Sequence, residues 1–202
     1  RLRSARHALG RLSPLVAGSD SYGLIEIGID GLQARSGSER DIAAIALRAV
    51  GVHLRERPSA AVSSSRLLAV LLARGGGDDV QVVPPGEEAE ALAGYPVEAL
   101  ALGATEYAAE SMSDALERCA LLGLRTVGAL ARTQAAALAA RVGPIAGALL
   151  TLARGFDHVR WYRSQGVAAS GETCVQYLVF QADDVLRLGA RLKQNPPIRP
   201  AD

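Results

Sequence analysis

No apolar run in this chain approaches the roughly 20 residues needed to cross a bilayer. Its greasiest stretch, Leu67 to Ala73, is closed off by Arg66 and Arg74. The basic opening residues, 1–11, lack an apolar segment of signal-peptide length, so a cytoplasmic protein with no membrane partner is expected. Cysteine is scarce: Cys119 and Cys174 are the two present, neither in a CxxC nor beside a histidine. That excludes a disulfide framework and predicts two buried, free thiols. The three histidines, His7, His53 and His158, are scattered without ligand spacing, so no metal or other cofactor is expected. Lys193 is the sole lysine. The cations are almost all arginine, the mark of a GC-rich genome rather than of a function.

What is present is enough for a folded protein. At 202 residues, 49% apolar and 21% charged, the chain can bury one large core or two small ones. The net charge of +1 hides an uneven spread. Residues 1–66 carry 10 bases and 6 acids, residues 67–120 carry 2 and 10, and residues 121–202 carry 10 and 5. Both ends therefore suit a polyanion and the middle repels one within a Debye length of about 8–10 Å, although random clustering on a solvated surface produces similar imbalances.

Periodicity predicts a helix over residues 2–12, stopped by Ser13-Pro14, and an alternating strand over 24–29 ended by Asp30-Gly31. Ser38 is placed to cap a helix to about Val50 with Ile42, Ile45, Ala46 and Ala49 on one face, closed by Gly51. One or two short strands are expected between Val52 and Ser63, a helix over 65–74, and a strand at 81–83. Helices follow at 87–93, 107–122, 127–131, 134–142 and 144–154, the last with Pro144 in its first turn. Residues 173–180 form a strand candidate and residues 183–193 an amphipathic helix. The class is α+β: a βα-type segment over 1–84, a helical segment over 85–157, and a strand–helix unit over 158–202 too short to bury its own core.

The most specific stretch is Leu122 to Leu130. Gly123 ends one helix, Thr126 caps the next, and Gly128 permits close approach in its first turn. Backbone N–H groups left unpaired at such a helix start would donate to a phosphate without reading sequence. Gly123, Arg125, Thr126 and Gly128 are thus candidate phosphate contacts. The same residues also suit a helix–turn–helix that packs and binds nothing.

These residues resemble a known family. Residues 122–157, LGLRTVGALARTQAAALAARVGPIAGALLTLARGFD, are similar to the thumb of Y-family translesion DNA polymerases, with its LGIRTVGDLA and LARG.D pattern. Leu12 to Val16 resembles the family's YSPxV, and Leu24 to Gly31 takes the place of an acidic palm strand. Ala61 to Ala69 resembles the palm's GIAxxKxLAK. Val82 to Glu87 and Tyr95 to Leu100 resemble its VVPPGEE and LPVEAL passage. Ser164 to Lys193 is similar to the start of the little finger. Together these cover about three quarters of the chain in order, with the flavour of the catalytically inactive, ImuB- and ImuY-like branch. The resemblance implies a truncated palm over 1–84, a helix-hairpin-helix thumb over 85–157, and a linker with a little-finger-like strand and helix over 158–202.

It also implies a loss. Active relatives hold two Mg²⁺ ions on acidic residues from an F.D.D.F strand and a Ser-x-Asp-Glu motif. No F.D.D.F segment occurs here, and Ser19-Asp20-Ser21-Tyr22 has no adjacent carboxylate pair. Glu26 and Asp30, four apart on a strand, would stand about 13 Å apart. The Lys pair that contacts triphosphate is matched by Arg66 and Val70, so Arg66 is a further phosphate candidate, or else a surface or ion-paired arginine. Gln176, Val179 and Phe180 lie in a QYLVF segment similar to the QLxLF peptide that docks on sliding clamps, or in an ordinary sheet strand.

The resulting expectation is a non-enzymatic accessory protein in SOS mutagenesis. It would hold DNA weakly and without sequence preference and support an error-prone replicative-type polymerase, with a sliding clamp, a recombinase or a second copy as further partners. Two alternatives stand beside it: a fragment of an active polymerase whose catalytic strand lies upstream of Arg1, and a plain helix-hairpin-helix DNA-binding module.

Overall fold

The computed structural model describes residues 2–19, 23–76, 80–103 and 109–157. They form two compact units, one of residues 2–62 with 80–81 and the other of residues 63–76 with 82–157. The sequence division at residue 84 therefore does not follow the packing. The helix over 66–75, expected in the first segment, clusters with the second because Leu67 and Leu68 are fully buried there among Leu92, Val97 and Leu100.

The first unit opens with α1 (Leu2–Leu9), which turns Ala5 and Leu9 inward. A strand unforeseen in the sequence follows, β1 (Val16–Ser19), antiparallel to β2 (Leu24–Ile27). The two are short, with Gly18 opposite Ile25. A Cβ at Gly18 would stand 2.6 Å from the Leu24 carbonyl oxygen. Ser13, 1% exposed, ties the entry to this hairpin. Its hydroxyl donates to the Gly28 carbonyl and accepts from the Leu15 N–H at 3.1 Å.

After α2 (Gln33–Ser36), α3 (Glu39–Gly51) starts at Ser38 as expected. Ser38 Oγ accepts the Asp41 N–H and Asp41 accepts the Ser38 N–H, the reciprocal pair of a capping box. The Ser38 hydroxyl, donating to the Asp41 carboxylate at 2.6 Å, and after it the Ser38 N–H hold that carboxyl below its ordinary value. Of the anticipated face of α3, Ile42 is buried and Ala46 packs against the core, Ile45 and Ala49 are half-buried, and Ala43 and Val50 are buried in addition. Gly51 lies inside the helix and Val52 caps it. Val50 joins Ala5 and Leu9 in a small core lined by Val16, Ile25 and Ile27. Of the strands expected between 52 and 63, only β3 (Ala61–Val62) forms, in a second two-stranded sheet with β4 (Gln81–Val82).

The second unit is helical and holds the larger core. It contains α4 (Arg66–Gly75), α5 (Glu88–Leu92), a 3-10 helix (Val97–Gly103), α6 (Ala109–Leu121), α7 (Val127–Ala131), α8 (Ala135–Val142) and α9 (Ala146–Ala153). Leu92, Leu100, Met112, Leu130, Leu138, Leu149 and Leu152 meet in one cluster. Each such side chain contributes about 1.5–3 kcal/mol by leaving water. Pro144 does not enter α9. Gly143 at φ +81° and an N–H from Ala146 to the Gly143 carbonyl make a turn first, and Ile145 becomes the N-cap. Cys119 is buried as expected, and burial pushes its thiol up. Cys174, His158 and the strand and helix expected beyond residue 157 lie outside the described residues.

Candidate nucleic-acid interface

The α6–α7 connection was the prime candidate, and its local predictions hold. Gly123 closes α6 at φ +81°, and Thr126 caps α7 by accepting the Ala129 N–H at 3.2 Å. What does not hold is the outward row of free amides. Gly123 N–H donates to Ala120, Leu124 to Cys119, and Arg125 to Gly123. Val127 N–H reaches the Tyr95 carbonyl at 2.9 Å and Gly128 N–H the Ala93 carbonyl at 3.0 Å. The Leu130 N–H is taken by Thr126. The start of α7 is sealed against the end of α5 and the 3-10 helix, so the amides of Val127, Gly128, Ala129 and Leu130 are not left for a phosphate.

Gly128 explains why. It is buried, and a Cβ on it would lie 2.8 Å from Ala93 Cβ and 3.0 Å from the Ala93 carbonyl oxygen. Its smallness serves helix packing, not ligand approach. Gly128→Ala should therefore cost about 1–3 kcal/mol of stability in the second unit, whereas Arg125→Ala at an exposed position should stay within about 0.5 kcal/mol. Urea unfolding of the two variants checks this. A neutral Gly128→Ala would show that the close approach is not enforced.

Side chains, not amides, remain open at this turn. Arg125 and Thr126 are exposed, as are Arg132, Arg141 and Arg154. Arg154 Nη2 contacts the Ala131 carbonyl at 3.4 Å. Residues 118–156 carry five arginines and no carboxylate, while residues 82–117 carry eight carboxylates and no base. That reversal is legible in the sequence, but counting windows divided at residue 120 blur it.

Arg66 stands elsewhere in the unit and is engaged. It is half-buried at the start of α4, and its Nη1 points to the Leu102 carbonyl at 3.5 Å. Its N–H and that of Leu67 donate to Asp157, at 3.0 and 2.6 Å. Asp157 is 4% exposed. Burial raises its carboxyl above the ordinary value, and hydrogen bonds from Leu67, Ser65 and Arg66 offset only part of that. Sequence reading gave Asp157 no role of its own. Val70, the second position of the former Lys pair, is buried core.

A recess of about 290 Å³ opens beside Ser64, Gly86, Glu88, Arg154 and Phe156. Glu88 is its carboxylate, and both oxygens are taken, one by the Ser64 hydroxyl and one by the Gly86 N–H at 2.8 Å. In the first unit Glu26 stands opposite Ala17 across the β1–β2 hairpin, and Asp30 falls beyond the end of β2. Asp20 lies outside the described residues, as do Gln176, Val179 and Phe180. Among the described residues no group of three or more His, Cys, Asp or Glu side chains could hold a metal ion, and no helix is long and apolar enough to cross a membrane.

Comparison with known proteins adds one likeness. A protein of Rubrobacter xylanophilus described as an allantoinase is 35% identical over an alignment of 104 residues, covering 45% of this chain and 23% of that protein. No family model matches the chain. No solved structure matches it either.

Proposed function

We propose that this chain is a non-catalytic, Y-family-polymerase-like accessory protein of SOS-induced translesion synthesis. In this reading it works in the cytoplasm, holds DNA weakly through the second unit, and supports an error-prone replicative-type polymerase at damaged sites. The observation that carries the DNA contact is the one-signed run from Arg118 to Phe156, whose arginines reach solvent with no carboxylate among them. Arginine side chains placed this way hold phosphates by charge and by forked hydrogen bonds, without reading bases. Gly123, Thr126 and Gly128 shape the turn that presents Arg125, and Arg66 serves the fold.

The absence of synthesis rests on the sequence resemblance, in which the acidic residues that hold Mg²⁺ in active relatives have no matching carboxylate pair here. The short likeness to an allantoinase brings no activity to this reading, because it takes up so little of that protein.

The test pairs two assays on one preparation. Primer extension with Mg²⁺ or Mn²⁺ should yield no incorporation, and any extension by the pure protein overturns the non-catalytic reading. DNA affinity should fall steeply with salt, and Arg125→Ala, Arg132→Ala and Arg141→Ala should each lower the slope of log affinity against log salt by about 1. Unchanged slopes would remove the arginine surface. Purification from damaged cells without any polymerase would favour the plain DNA-binding module instead.

A further inference from the structure

We propose that the outer end of α6 is a self-association surface whose occupant is the same turn of a second copy of this chain. α6 turns Met112, Ala115, Leu116 and Cys119 into the core. Its outward side is polar through Glu110, Asp114, Glu117 and Arg118. Leu121 then breaks the pattern at 82% exposed, and Leu122 beside it is 46% exposed. Leu121 follows Glu117 by four residues and Arg118 by three, so all three share one patch. Leu122 lies in the turn just past the helix, its N–H still donating to the Arg118 carbonyl at 3.0 Å. From Glu117 to Leu122 the rise is about 7.5 Å. That is less than the roughly 8–10 Å between packed helix axes, so one helix crossing covers all four residues.

The charge pattern selects the occupant. These residues straddle the point where the charge reverses, from carboxylates and no base over residues 82–117 to arginines and no carboxylate over residues 118–156. A two-fold interface must be self-complementary, because what one copy offers the other must accept. An apolar centre with acid on one side and base on the other meets that condition. Around a two-fold axis through the leucines, Glu117 of each copy faces Arg118 of the other. The side chains of Glu117 and Arg118 have no hydrogen-bond or ion-pair partner among the described residues. A polyanion is repelled by Glu117 and the acidic run behind it, whereas a second copy brings the matching pattern by construction. The patch is small beside the roughly 1,600 Å² of a standard interface, so the dimer is weak, with a dissociation constant from about micromolar to millimolar.

Sedimentation equilibrium of the full chain over a wide concentration range tests this. The expected result is reversible dimerisation, with Leu121→Ser combined with Leu122→Ser raising the dissociation constant at least about tenfold. Both leucines are exposed, and far-UV circular dichroism checks that the fold is kept. Glu117→Arg alone and Arg118→Glu alone should each weaken the dimer, because like charges then meet. An equal mixture of those two variants should associate more tightly than either by itself. A chain that stays monomeric to about millimolar concentration overturns the proposal. So does a dimer indifferent to the serine substitutions, or a mixture of charge-reversed variants that shows no recovery.

Discussion

Asp157→Ala is expected to lower the unfolding free energy of the second unit by about 2–4 kcal/mol. Two amides at the start of α4, those of Arg66 and Leu67, donate to this one carboxylate. Alanine leaves the buried Leu67 donor with nothing to bond and the half-buried Arg66 donor with whatever water reaches it. It also removes a negative group from a helix N-terminus. Asp157→Asn keeps one acceptor and should lose less. Chemical unfolding of the three proteins gives the ranking, and an alanine variant as stable as the parent would mean the carboxylate caps nothing.

The same residue gives a pH dependence whose sign can be worked out. Its folded carboxyl lies above the ordinary value of 3.8, chiefly through burial. A group that binds its proton more tightly when folded adds stability below its ordinary value and loses it as pH rises through the folded value. The parent chain should therefore lose part of its unfolding free energy over that window relative to Asp157→Asn, which cannot titrate. Parallel stability–pH profiles for the two would contradict the assignment.

Two caps show what a sequence can reveal. Ser38 and Asp41 are three residues apart, so the capping box at α3 is visible as a local pattern. α4 has a local cap as well, Ser65 accepting the Leu68 N–H at 3.2 Å, but its Arg66 and Leu67 amides are taken by Asp157 from 91 and 90 residues away, and no spacing rule reaches that far. The same division runs through the rest of the chain. Helices with a clear apolar face, such as α1, α3, α4 and α8, were legible from periodicity. β1 was not, because Val16-Ala17-Gly18-Ser19 has no alternation of its own and is a strand only through pairing with β2.

The candidate site divides in the same way. Thr126 as an N-cap and Gly123 as a helix terminator follow from local chemistry and were read in advance. The fate of the amides just after Thr126, those of Val127 and Gly128, depends on Tyr95 and Ala93, some 30 residues upstream, and could not be read. A glycine in a helix start looks alike from sequence whether it admits a phosphate or a neighbouring helix. Only the contact at Gly128 decides between them, and it decides for packing.

Gly155→Ala should be comparably damaging, at about 2–5 kcal/mol, through two separable costs. The backbone at Gly155 has φ +79°, a left-handed conformation that costs an L-residue roughly 1–2 kcal/mol. A Cβ there would also stand 2.5 Å from Glu88 Cβ. Glu88 cannot swing aside freely, since it is 6% exposed and bonded to both Ser64 and Gly86. Crowding of that kind adds about 1–3 kcal/mol. Glu88→Ala brings no relief, because the clashing atom is the one alanine retains. Gly123→Ala is the control: its φ is +81°, yet nothing lies within 4 Å of the added carbon, so it should show the conformational cost alone. The difference between the two variants in urea unfolding measures how tightly the chain before Asp157 is pressed onto α5. Equal losses would mean that α5 yields, and that the Asp157 cap on α4 does not depend on a fixed corner at Gly155.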